Sequence, residues 1–82
     1  MLTESSVYSA LTDIFSDVLD NDNIVLTRDT TAKDIDGWDS LTNIQIMLRT
    51  GQVFKLHFSA GQIQSFHNVG DLVAFIVDKS KS

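Results

Sequence analysis

The sequence predicts an all-α fold, a small four-helix bundle of three main helices and one short one. Three observations predict it. Apolar residues recur at steps of three and four in three separate windows, which is the spacing of a helix face. Each window follows a side chain able to cap a helix: Thr3, then Asp39 or Ser40, then Asn68, with Ser59 ahead of a shorter run. The one alternating segment, Phe54-Lys55-Leu56-His57-Phe58, has no second strand to pair with, so it reads as an extended connector.

The first helix is expected from Thr3 to Leu19. Val7, Leu11, Ile14, Phe15, Val18 and Leu19 make its apolar face, Glu4 suits the dipole of its first turn, and Asp13 and Asp17 fall on the polar side. Asp20-Asn21-Asp22-Asn23 stops it, because short polar side chains compete for backbone hydrogen bonds and favour turns. A long connection follows, to Asp39. Ile24, Val25 and Leu26 are expected to anchor it to the core, Thr30-Thr31-Ala32 to form a short helical turn, and Ile35 and Trp38 to anchor it again. A connection this long in a small domain is often functional.

Asp36-Gly37-Trp38-Asp39-Ser40-Leu41 is a turn that leads into the second helix. Gly37 supplies a permissive backbone, and either Asp39 or Ser40 can be the cap. Ser40 thus falls where free N–H groups and the helix dipole favour an anion. In this helix Leu41, Ile44 and Leu48 share one stripe, while Ile46 and Met47 point elsewhere. A helix apolar on two sides is buried on both or binds something with one. It ends near Thr50 with Gly51 as its stop, or runs on to Phe54 with a weak spot, since Gly inside a helix costs about 1 kcal/mol relative to Ala. A short helix is expected over Ala60–Ser65, with Ile63 and Phe66 turned inward. In the last helix Val69, Leu72, Val73 and Ile76 form the apolar stripe and Phe75 meets the core edge. Lys79 and Lys81 suit its C-terminal dipole, and fraying is expected after Asp78.

Composition narrows the function. Eighty-two residues make a single domain, 1–82, with a modest core. There is no cysteine, hence no disulfide and no thiol nucleophile of the chain's own. The net charge of −5 disfavours nucleic acid and favours basic partner surfaces. All the acids except Asp71 and Asp78 precede Ser40. The N-terminus lacks the pattern of a signal peptide and no stretch approaches a membrane span, so a soluble, cytoplasmic monomer is expected.

Asp-Ser-Leu after a Gly-Trp turn, followed by an Ile-rich helix, resembles the modification site of acyl carrier proteins. The Phe-x-Leu-x-Phe segment and the Asn-Val-Gly-Asp-Leu-Val start of the last helix are also similar to that family, and the likeness runs from about Thr3 to Val77. The resemblance implies a stand-alone bundle of acyl-carrier type that is not itself an enzyme. It implies a 4'-phosphopantetheine arm on Ser40, bearing cargo as a thioester, with Asp39 and Leu41 flanking the attachment point. It implies a phosphopantetheinyl transferase as partner, and a synthetase, ketosynthase or acyltransferase of fatty acid, polyketide or related specialised biosynthesis. Matched by position, Asp36, Leu41, Ile44, Gln45 and Leu48 fall on the partner face, and Ile46, Met47 and Phe54 in the core. Asp before the serine leans toward acyl over aminoacyl or peptidyl cargo, and a non-carrier adaptor bundle with Ser40 as a plain cap is the alternative of another class. The chain also departs from the family. Where many members carry acids along the second helix, it has Gln45, Gly51 and Gln52, with Arg49 nearby, which points to a specialised carrier with its own partners.

Other chemistries fit poorly. An EF-hand loop from Asp20 or Asp34 would place Ile24 or Trp38 at the fifth position, where calcium needs oxygen. His57 and His67 lack a second ligand at metal spacing, no Ser-His-Asp arrangement is visible, and Trp38 reads as an anchor beside Ser40.

Overall fold

The computed structural model describes residues 3–80. They form α1 (Glu4–Leu19), a 3-10 turn (Ala32–Asp34), α2 (Ser40–Phe54), α3 (Ala60–Ser65) and α4 (Val69–Ser80). No strand occurs among the described residues.

Local chemistry sets each boundary. Thr3 opens α1 by accepting the Ser6 N–H through its hydroxyl at 3.2 Å, and the Ser6 hydroxyl accepts the Thr3 N–H in return. Asp20 ends α1 in the left-handed region, at φ 52°, with its N–H bonded to the Ser16 carbonyl. Ser59 and Gln62 cap α3 reciprocally. Asn68 accepts the Asp71 N–H at 2.8 Å to open α4.

The core comes from one face of each long helix: Val7, Leu11, Ile14 and Phe15 of α1, Ile46 and Met47 of α2, and Val69, Leu72, Val73 and Ile76 of α4. α1 packs against both α2 and α4. Thr50 is buried within α2, and its hydroxyl is satisfied by the Ile46 carbonyl at 2.7 Å, so burial leaves no polar atom unpaired. Phe58, Phe66 and Phe75 make a second apolar cluster, with ring centroids 5.4–6.1 Å apart, that fastens α3 to α4.

The long connection is fixed at several points. Ile24 is buried, and Leu26, Ile35 and Trp38 pack half-buried on the core. Val25 does not anchor: it is 76% exposed, because consecutive side chains in extended backbone point to opposite sides and Ile24 takes the inner one. The helical turn lies over Ala32–Asp34, two residues beyond the expected Thr30. Thr30 is instead buried in a turn with Thr27, its hydroxyl oxygen accepting the Thr27 N–H at 2.8 Å. The carbonyls of Thr30 and Arg28 accept the N–H groups of Val69 and Gly70, both at 2.9 Å. The loop thus satisfies donors that the first turn of α4 leaves unpaired.

Two expectations about helix ends resolve here. α2 runs through Gly51 to Phe54. The glycine lets the chain pass closely: a Cβ there would lie 2.7 Å from the Leu56 carbonyl oxygen. α4 continues past Asp78 to Ser80, where the Ser80 hydroxyl donates to the Val77 carbonyl at 2.7 Å. Lys79 lies in its last turn, with its ammonium 5.5 Å from the centre of the Phe75 ring, whereas Lys81 falls outside the described residues.

Candidate functional site: Ser40 at the mouth of α2

Gly37, at φ 88°, turns the chain so that Trp38 faces the core and Asp39 meets the end of α2. Trp38 packs edge-on against Phe15, with ring centroids 4.8 Å apart at 86°, and its Nε1–H donates to Asn43 Oδ1 at 3.0 Å. The tryptophan therefore ties the loop both to α1 and to the second turn of α2.

The cap is Asp39. Its Oδ1 accepts the N–H groups of Leu41 and Thr42, each at 3.0 Å. Thr42 completes the arrangement, with its Oγ1 accepting the Asp39 N–H at 2.8 Å and donating to the Gly37 carbonyl at 2.7 Å. The Thr42 N–H is the largest influence lowering the Asp39 carboxyl below the usual carboxylate range; desolvation opposes it, and the Leu41 N–H and the Thr42 hydroxyl add to the lowering.

With Asp39 as cap, Ser40 becomes the first residue of the helix rather than its cap. It is exposed, and no hydrogen bond among the described residues engages its hydroxyl. That is the opposite of a plain N-cap serine, whose oxygen is spent on the backbone.

Two clefts meet at Ser40, and both are bordered by Asn43 as well. One, of about 390 Å³, lies between α2 and α3, where Ile44, Ala60, Ile63 and Gln64 line it with mostly apolar surface. The other, of about 210 Å³, is walled by Ala32, Trp38, Asp39, Phe66 and His67. The hydroxyl thus has an open approach and two shallow surfaces on which an attached group can rest.

The remaining sequence-predicted residues fall as follows. Leu41, Ile44 and Leu48 are 67%, 51% and 65% exposed and form an outward stripe on α2. A fully buried second helix is ruled out by these values. Gln45 and Asp36 are exposed as well, Asp36 in the loop ahead of the helix. Ile46 and Met47 are buried and Phe54 packs half-buried against the core, as expected. Arg49 forms an exposed ion pair with Asp17 of α1, so its charge is partly met within the domain. Among the described residues, no group of three or more His, Asp or Glu side chains is placed to hold a metal ion. No helix among them is long and apolar enough to cross a membrane.

Sequence reasoning missed the parts played by Thr42 and Asn43. A Thr three residues beyond Asp39 satisfies the spacing of a reciprocal cap and was a findable signal. The Trp38–Asn43 bond had no local signal, since it depends on how Phe15 seats the indole ring.

No family model matches the chain. It is 27% identical over 70 residues to the acyl carrier protein of Aster yellows witches'-broom phytoplasma (strain AYWB), an alignment covering 85% of this chain and 92% of that one. Its fold is similar to the solution NMR structure of the holo acyl carrier protein from Geobacter metallireducens, with a TM-score of 0.83 and 43% sequence identity. That match covers 92% of this chain and 86% of the other. An all-helical bundle with an exposed, unengaged serine at the mouth of its second helix, likenesses over nearly its whole length, and 43% identity to a solved member together place this chain in the acyl carrier protein family.

Proposed function

We propose that Ser40 is the attachment point of a 4'-phosphopantetheine arm, and that the chain, a single carrier domain and a monomer, holds acyl groups on that arm for partner enzymes. The observation that carries this reading is the division of labour at the turn: Asp39 and Thr42 cap the helix, which leaves the Ser40 hydroxyl exposed and uncommitted. A phosphodiester on that oxygen lies beside the N-terminal dipole of a 15-residue helix, which favours negative charge. The domain supplies no cysteine, so the thiol for a thioester has to be added.

Loading is a group transfer from coenzyme A catalysed by a separate phosphopantetheinyl transferase with a divalent cation. The Ser40 oxygen forms a bond to phosphorus as the diphosphate P–O bond of coenzyme A breaks; adenosine 3',5'-bisphosphate leaves and the hydroxyl proton is released. Once bound, the arm supplies a thiol that holds acyl groups as thioesters. The chain's own part is to position and present. Asp39, Thr42 and Trp38 fix the end of α2, and the apolar groove by Ile44, Ala60 and Ile63 offers cover to an apolar cargo. The Leu41, Ile44 and Leu48 stripe, with Gln45 beside it and Asp36 at its approach, meets the partner.

The partners we favour are those of a specialised acyl pathway. α2 contains no acidic residue, and Arg49 is paired with Asp17, so this face offers apolar surface rather than a row of charge. Contacts of that kind are weakly screened by salt, unlike those of an acidic face on a basic patch. A transacylase of general fatty acid synthesis is expected to load this carrier poorly; efficient, strongly salt-sensitive loading would count against a specialised partner.

The central test is mass spectrometry after incubation with a transferase, magnesium and coenzyme A. One phosphopantetheinyl group is expected on the wild type and none on Ser40→Ala. No gain on the wild type, or an equal gain on both, would refute the assignment.

A further inference from the structure

We propose that the cleft walled by Trp38, Asn43, Phe66 and His67 seats the phosphodiester end of the arm, with the Asn43 amide and the His67 imidazole as its hydrogen-bond donors. This rests on Ser40 being the attachment point.

The two clefts beside Ser40 differ in chemistry. The one toward α3 is lined mostly by apolar surface, which suits a hydrocarbon cargo better than a phosphate. The other mixes two aromatic walls with polar groups, including the one ionisable cation-former among its lining residues, His67. A phosphodiester carries a full negative charge at neutral pH and stays within bonding reach of Ser40, so it settles in the polar cleft while the distal arm and cargo remain free to use the apolar one.

Asn43 supports the assignment. The Trp38 indole N–H can only donate, so the atom it meets must be the amide oxygen of Asn43. The amino group is thereby left as a donor on a residue that lines both clefts. The carboxylate in the lining, Asp39, has its Oδ1 taken up by the Leu41 and Thr42 N–H groups, and the His67 imidazole brings a second side-chain N–H donor to the cleft.

The Asp71 carboxylate of α4 accepts the His67 backbone N–H at 3.1 Å, which holds that residue at the edge of the cleft.

The test is NMR of the holo protein. Nuclear Overhauser contacts are expected between the arm's methylene next to the diester and the rings of Trp38, Phe66 and His67. The phosphorus resonance should shift in His67→Leu and stay in place in Lys33→Gln. Circular dichroism confirms that each variant is folded. Absence of those contacts in the wild type, or an unchanged phosphorus shift in His67→Leu, overturns the proposal while Ser40 remains the attachment point. The absence of any diester signal means that Ser40 was never modified, and overturns both.

Discussion

Replacing Gly51 by alanine separates the propensity of α2 from its tertiary setting. Local propensity alone predicts a gain of about 1 kcal/mol, since alanine is the better helix former. The structure predicts a loss. A Cβ at position 51 would stand 2.7 Å from the Leu56 carbonyl oxygen, and ordinary contact begins at 3.4 Å, so backbone has to move. The same connector segment donates the Leu56 N–H to the Gly51 carbonyl at 2.9 Å, so moving it also loosens that bond. Overpacking of this kind costs about 1–3 kcal/mol and a loosened hydrogen bond about 1 kcal/mol. Set against the propensity gain of about 1 kcal/mol, a net loss of about 1–3 kcal/mol is expected, with a fall in Tm of about 4–8 °C for each kcal/mol. Gly61 in α3 is the control, because a Cβ there meets nothing within 4 Å. Gly61→Ala should stabilise by about 0.5–1 kcal/mol. Urea unfolding of both variants decides the matter: if Gly51→Ala is as stable as the wild type or more so, the close-approach reasoning is wrong.

Three further outcomes are expected. Asp39 has a carboxyl pKa lowered in the folded state, so its contribution is present above the unfolded carboxylate range and is lost as pH falls through the folded value. The stability gap between wild type and Asp39→Asn should accordingly close as unfolding is measured from pH 6 downward, and a gap that widened toward acid would contradict the capping role. Ile46→Ala, at a buried position, should cost about 2–5 kcal/mol in urea unfolding, whereas Leu48→Ala, at an exposed one, should stay within about 0.5 kcal/mol yet impair turnover by a partner enzyme. Binding of that partner, followed by calorimetry across a salt series, should change little with ionic strength; a steep salt dependence would mean that charge, and not the Leu41-Ile44-Leu48 stripe, carries the contact.

What the amino-acid sequence determined alone is the set of elements whose causes are local. Thr3, Ser59 and Asn68 cap the helices they precede, because a side-chain oxygen two or three residues from a free N–H acts at short range. Periodicity found the buried faces of α1 and α4, and the inward Ile46 and Met47, because a helix repeats every 3.6 residues whatever surrounds it. The likeness around Ser40 pointed to the family in the same way, through a short contiguous run. Tertiary structure decided what depends on parts distant in the chain. Periodicity gave Leu41, Ile44 and Leu48 a stripe but not a direction, and only the packing of α1 on the other side of α2 left that stripe outside. Gly51 was equally consistent with a helix end or a weak spot in a continuing helix, and only the position of Leu56 shows why a glycine stands there. Val25 lies outward at 76% exposure while its neighbour Ile24 is buried. The choice between Asp39 and Ser40 as cap was also settled in three dimensions. Thr42 and the Gly37 carbonyl lock the turn around Asp39, and the adjacent hydroxyl is left over, facing water.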